Sequence, residues 1–324
     1  MPAQYKWILS FTFFTLIALP NLSAAQQVPE PTLNDILNRA ADETKKYIEA
    51  FKNLLSEESK TIETFDKQGT VKKKKTIRST FLVYQLTKDE NQSTEFRNVV
   101  AVDGKLLEDA DRRAQDFFTK VVRAESSKKE LQELRKESSR YDGDLVISGM
   151  TLFQSPILSE KLRPFFDFTL NGRSSVDGTE VYEVSYLQKT QTPMIQVNVK
   201  GDSEPGGTFI EYDVDSDVHG DLNGRLRGKL WIDVSTFQVR REHRELTVQP
   251  ENAASRLPAI VNDFDFQASD FGILTPKKIT HIQSRIRSKG EPPLKEMQVT
   301  MDYSNFTRPD VEVKSSEVKS PPKP

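Results

Sequence analysis

The sequence predicts an α+β protein that is mainly antiparallel β. Three observations say so. Apolar and polar residues alternate at period two through much of the chain after Thr61. Asp-Gly pairs at Asp103-Gly104 and Asp177-Gly178 sit between apolar runs, the strongest short hairpin signal. Helical spacing recurs in only two stretches, near 33–57 and 109–138, and each amphipathic face needs an apolar surface to cover.

The elements follow in chain order. Lys6, the apolar run Trp7 to Leu19, Pro20 and the small residues Ser23-Ala24-Ala25 form the three regions of a secretory signal. The run is shorter than the ~20 apolar residues a bilayer span needs. Cleavage is expected near Ala25, giving a signal over 1–25 and a periplasmic or extracellular mature protein. There is no cysteine. Disulfides and an N-terminal lipid-modified cysteine are therefore both excluded, and stability must come from the core.

A single β-rich domain is expected over 26–307. It opens on a helix whose stripe runs through Leu33, Ile36, Leu37, Ala40, Ala41, Tyr47, Ile48, Phe51, Leu54 and Leu55. Thr32 can cap it, with Asp35 three residues on. Strands are expected over Thr61–Phe65, Ile77–Tyr84 and Val99–Val102. The second helix has Ala110, Ala114, Phe117, Phe118, Val121 and Val122 on one face and continues into the charged stretch Ser126–Arg140. After Leu145 strands dominate. Tyr182, Val184 and Tyr186 share a face, as do Leu226, Leu230 and Ile232, then Phe264 and Phe266, then Met297, Val299, Met301 and Tyr303. From Arg308 the composition turns to Pro, Lys, Ser and Glu, so 308–324 is expected to be a disordered tail.

Charge narrows the function classes. Forty-six basic residues face 48 acidic ones, a net −2, which disfavours nucleic acid as a partner. The dense run Lys72–Lys75 reads as a solvated hairpin tip. No catalytic motif is present: there is no Gly-x-Ser-x-Gly elbow and no paired His motif, so no enzyme and no cofactor are expected. His243 stands among alternating charges, and His281 on the polar side of a strand; both are expected at the surface. Asp213, Asp215, Asp217 and Asp221 resemble the start of a calcium loop. Val218 stands where Gly is required and Gly224 where Glu is required. No metal site is expected there.

The segment Leu230-Trp231-Ile232-Asp233-Val234-Ser235-Thr236-Phe237-Gln238-Val239-Arg240-Arg241 resembles the hairpin of the LolA/LolB-like periplasmic lipoprotein carriers. Asp177-Gly178-Thr179-Glu180-Val181-Tyr182 resembles the strand before it, and the signal and first helix match the layout. This resemblance implies a half-open curved antiparallel sheet or barrel covered by amphipathic helices, around an apolar cavity. It implies a carrier for a lipid or an acylated protein in transient contact with an envelope membrane. Phe165, Phe166, Phe168, Tyr182, Trp231 and Phe237 are the candidate cavity residues. The alternative is a non-catalytic structural or interaction module of the envelope whose core these aromatics fill.

Overall fold

In the computed structural model the described residues are 30–308, apart from 53, 86–92, 109–111, 114–115, 117–135, 143–149, 153, 191–194, 199–209, 214–219, 251–253 and 288–290. The expected signal, nearly all of the expected tail, most of the expected second helix and most of the segment Asp213–Asp221 lie outside the described residues. Of the second helix, Arg112, Arg113, Asp116 and residues 136–138 have helical backbone.

Helix α1 spans Leu33–Phe51. Its start is chemical. The Thr32 hydroxyl accepts the Asp35 N–H at 3.2 Å, and the Asp35 carboxylate accepts the Thr32 N–H at 3.0 Å, a reciprocal capping box. Its end falls before Leu54 and Leu55, which the apolar rhythm had assigned to the helix. Leu55 instead opens β1 (Leu55–Phe65).

Eleven strands form one sheet. They are β1, β2 (Val71–Gln85), β3 (Ser93–Val102), β4 (Lys105–Leu106), β5 (Phe166–Val176), β6 (Thr179–Gln188), β9 (Gly220–Asp233), β10 (Val239–Pro250), β11 (Leu257–Ala268), β12 (Leu274–Arg285) and β13 (Leu294–Thr307). Strands β7 (Ile195–Asn198) and β8 (Ile210–Asp213) form a separate parallel pair. The order across the large sheet is β4-β3-β2-β1-β13-β12-β11-β10-β9-β6-β5, antiparallel throughout and open rather than closed into a barrel. Both Asp-Gly pairs turn hairpins: Asp103 and Gly104 have φ of 48° and 77°, Asp177 and Gly178 of 49° and 80°, the left-handed pair a tight hairpin needs. No described helix is long and apolar enough to cross a membrane.

Helix α1 divides its stripe between two apolar clusters. Ile36, Leu37 and Ala40 join residues of β5, β6, β9 and β10. Tyr47 and Phe51, stacked at 4.9 Å, join residues of β1–β3 and β11–β13. Burying such side chains contributes roughly 1.5–3 kcal/mol each.

The open sheet has two edges, and both are blunted. Beside β3, the Arg113 guanidinium donates to the Val99 carbonyl at 3.1 Å, and the Leu107 N–H to the Val100 carbonyl at 3.0 Å. On β5 the register slips between Leu170 and Gly172, where Gly172 takes φ 116°, and Arg173 then stacks over Tyr182. A bulge and a charged side chain turned back over the sheet both discourage strand addition.

One glycine is needed for a close approach. Gly228 lies opposite Tyr186, whose phenol crosses it to reach Glu242 on β10. A Cβ at 228 would press on the His243 carbonyl oxygen and the Tyr186 hydroxyl. Gly228→Ala is expected to cost about 1–3 kcal/mol, read as a lowered melting temperature. An unchanged melt would show that the strands part without penalty.

Candidate functional site

The site is built where the first half of α1 meets the connection into β5. Two single-turn 3-10 helices, Pro156–Leu158 and Arg163–Phe165, carry the chain across that end of the sheet. Pro156 opens the first and Pro164 takes the second position of the other, both in a first turn, where a missing N–H costs no helical bond. Ile157, Leu158 and Leu162 are buried there, which fixes the turns against the first apolar cluster. Between these turns, α1 and the start of β5 lies a cleft of about 450 Å3. Leu33, Leu37, Pro164, Phe166 and Phe168 give it apolar walls; Asn34, Glu160, Arg163 and Asp167 complete its lining.

The six aromatics singled out from the sequence are placed differently. Phe166 and Phe168 line the cleft, 6.3 Å apart between ring centroids. Phe165 is partly buried against the same cluster. Tyr182 and Phe237, 3 % and 4 % exposed, sit side by side at 6.1 Å in the core. Cations cover them: Arg173 over Tyr182 at 5.2 Å and Arg39 over Phe237 at 3.6 Å. Trp231 alternates with the buried Leu230 and Ile232, so it stands on the opposite face of the sheet. Its ring lies near Lys229 and Arg241, at 5.4 and 6.0 Å.

The Ile-Asp turn after Trp231 has a clear role. The Asp233 carboxylate accepts the Ser235 N–H, the Ser235 hydroxyl, the Thr236 N–H and the Arg240 guanidinium at 2.6–3.0 Å. Burial pushes its pKa up, but these donors outweigh burial and hold it at about 2. The motif is thus a self-satisfied turn that fixes the β9–β10 register.

The inner face of the sheet holds a feature the sequence concealed. Glu58, Lys60, Glu95, Arg97, Glu242 and Arg244 are all buried there. Arg97 donates to Glu58 at 2.8 Å and to Glu95 at 3.2 Å. Glu95 also accepts the Thr151 N–H and hydroxyl, and Lys60 donates to both oxygens of Asp142 at 2.8 and 2.7 Å. Glu242 accepts from Arg244, Ser155 and Tyr186. Burial alone would raise the Glu58 pKa; Arg97 and Lys60 reverse that and lower it. Burial, and then the Glu58 carboxylate, raise the Tyr303 phenol well above its usual value.

His281 corrects the surface expectation. It is 9 % exposed, and its Nδ1 donates to the Asn262 amide oxygen at 2.7 Å. Burial lowers its pKa to about 4. It alternates with Lys278 and Thr280 in phase with the buried Ile279, so the pleat turns it inward. His243 stays half-exposed between Asp263 and Glu245. The hydrogen bond to Asp263 raises its pKa against the opposing effect of burial. Among the described residues, no group of three or more His, Asp or Glu is placed to hold a metal ion.

No family model matches the sequence, and no curated protein matches it. Solved structures similar to the chain include a DUF1329 family protein from Desulfovibrio piger, at 13% identity and TM-score 0.35 over 85% of this chain and 94% of that one. They include a LolA superfamily protein from Nitrosomonas europaea, at 10% identity and TM-score 0.32 over 88% and 97%. The resemblance is LolA-like, and distant. LprF from Mycobacterium bovis is similar at 11% identity and TM-score 0.22 over 87% and 97%. With identities and TM-scores this low, none of these likenesses bears on the site, which rests on the chain's own residues.

Of the cleft, the sequence stripe held Leu33 and Leu37, and the aromatic list held Phe166 and Phe168. Arg163, Asn34, Glu160 and Asp167 were missed. Arg163, beside Pro164 in a connection, has no periodicity to single it out, and Asn34 and Asp167 are ordinary polar positions on a helix and a strand.

Proposed function

We propose that the protein is a non-enzymatic carrier or binding protein for a lipid or lipidated ligand, held by an acyl chain in the cleft between α1 and β5. In this reading it works in the periplasm or outside the cell, after export directed by the signal over 1–25, and meets envelope membranes only transiently. The observation that supports it is the cleft itself. Five apolar side chains line a recess of about 450 Å3, within the range of small-molecule sites. Each methylene removed from water contributes about 0.8 kcal/mol, so one chain gives useful affinity.

Native mass spectrometry of detergent-free protein should reveal co-purifying lipid, and the protein should bind a fluorescent acyl probe. Phe168→Asp, at a half-buried position, is expected to weaken the probe at least tenfold by placing a charge among apolar groups. Because Phe168 also packs on the Phe166 and Tyr186 rings, the melting temperature is expected to fall as well, and probe binding is compared at a temperature where both proteins are folded. A ligand-free protein that ignores such probes would remove this reading.

A second reading is an envelope interaction module with a filled core. The buried ion pairs on the inner face favour it, since they occupy the side where an apolar cavity would lie. Protein that never binds lipid would support it.

A further inference from the structure

The cleft has an uneven charge, and that points to the ligand's class. Each acid in its lining has its own lysine: Glu160 pairs with Lys45 at 2.9 Å, and Asp167 with Lys189 at 3.4 Å. Arg163 has no such partner. Its Nη1 donates to the Asn38 amide oxygen at 2.6 Å, and among the described residues no carboxylate stands within ion-pair distance of it. Four of its five N–H donors are left over. The lining and its lysines therefore present one unbalanced positive charge, and it sits beside Pro164 and Phe166 at the apolar wall.

We propose that the cleft takes a free single-chain amphiphile with a carboxylate head, the head on Arg163 and the chain along Leu37, Phe166 and Phe168. This rests on the carrier reading above and narrows it. Guanidinium and carboxylate match as planar two-pronged partners, which a hydroxyl, an ester or an amide head would not. A recess of about 450 Å3 lies toward the small end of ligand sites and suits one chain.

The test compares oleic acid with its methyl ester, at a pH where the acid is ionised. Each displaces a neutral probe, N-phenylnaphthylamine, from the full chain. The parent should prefer the acid by about tenfold, the scale of a hydrogen-bonded charge pair. Arg163→Gln should bring that ratio close to one, with an unchanged melting temperature. Arg287→Gln, in the connection that follows β12 and paired with Glu291, should keep the preference. If the parent binds acid and ester equally, or Arg163→Gln keeps the preference, the carboxylate proposal is overturned and the carrier reading stands. If neither compound displaces the probe and the probe itself does not bind, the carrier reading falls and takes the proposal with it.

Discussion

Replacing Arg97 by Met is expected to destabilise the fold by about 3–5 kcal/mol, the largest loss from any single change considered. Arg97 stands between two buried carboxylates, Glu58 and Glu95. Its plane also covers the Phe81 ring at 5.0 Å. Removing it leaves two carboxylates in a medium that cannot hydrate them. Met keeps much of the volume, so a cavity is not the cause. Urea denaturation measures the loss. The double change Glu58→Gln with Arg97→Met should cost less than the sum of the two single changes, because the second removes a charge the first left stranded. A loss under about 1 kcal/mol for Arg97→Met would mean that water reaches the cluster and hydrates the two carboxylates.

The second large effect is on pH dependence. His281 has a pKa of about 4 in the fold against 6.5 in a free chain. Between those values the unfolded chain binds a proton that the folded chain refuses. Stability therefore falls as pH drops through 6.5, and the loss is complete near 4. At about 1.36 kcal/mol per unit, His281 alone removes about 3 kcal/mol across that window. His281→Gln should show a flatter acid limb than the parent in denaturation measured as a function of pH. Parallel limbs would sink the assignment. His243 has the opposite sign. Its pKa is raised, first by Asp263, so its contribution is present below the unfolded value and fades as pH rises through the folded one. The parent should thus lose a little advantage over His243→Gln as pH rises, while its His281 cost appears as pH falls.

How much of this was legible depended on whether the cause was local. The two Asp-Gly hairpins were, because few other pairs accept positive φ at both positions. The start of α1 was, because Thr32 and Asp35 satisfy each other three residues apart. The strands around Phe264 and Val299 were, because their inner faces are apolar. The end of α1 was not: Leu54 and Leu55 continue the helical rhythm, while Glu58 and Lys60 hide the strand. Those two face the core only because of partners far along the chain, Arg97 and Asp142. Alternation reports which residues share a face; it does not report which face is buried when charges are paired inside. His281 was misread for the same reason. The cleft was half legible: its apolar walls belong to patterns, and Arg163 belongs to none.

The pairing of β1 with β13 has a consequence for how the chain folds. Leu55 meets Thr307, and the two strands sit mid-sheet, joining the β1–β4 meander to the β9–β13 meander. That contact closes a loop spanning nearly the whole described chain, which costs entropy before any pairing compensates. Topologies rich in such contacts fold slowly. During synthesis β1 keeps one unpaired edge until Leu294–Thr307 emerges, and the sheet is not completed without that strand. The open edge of β1 is therefore a place for strand-edge aggregation for as long as β13 has not joined it.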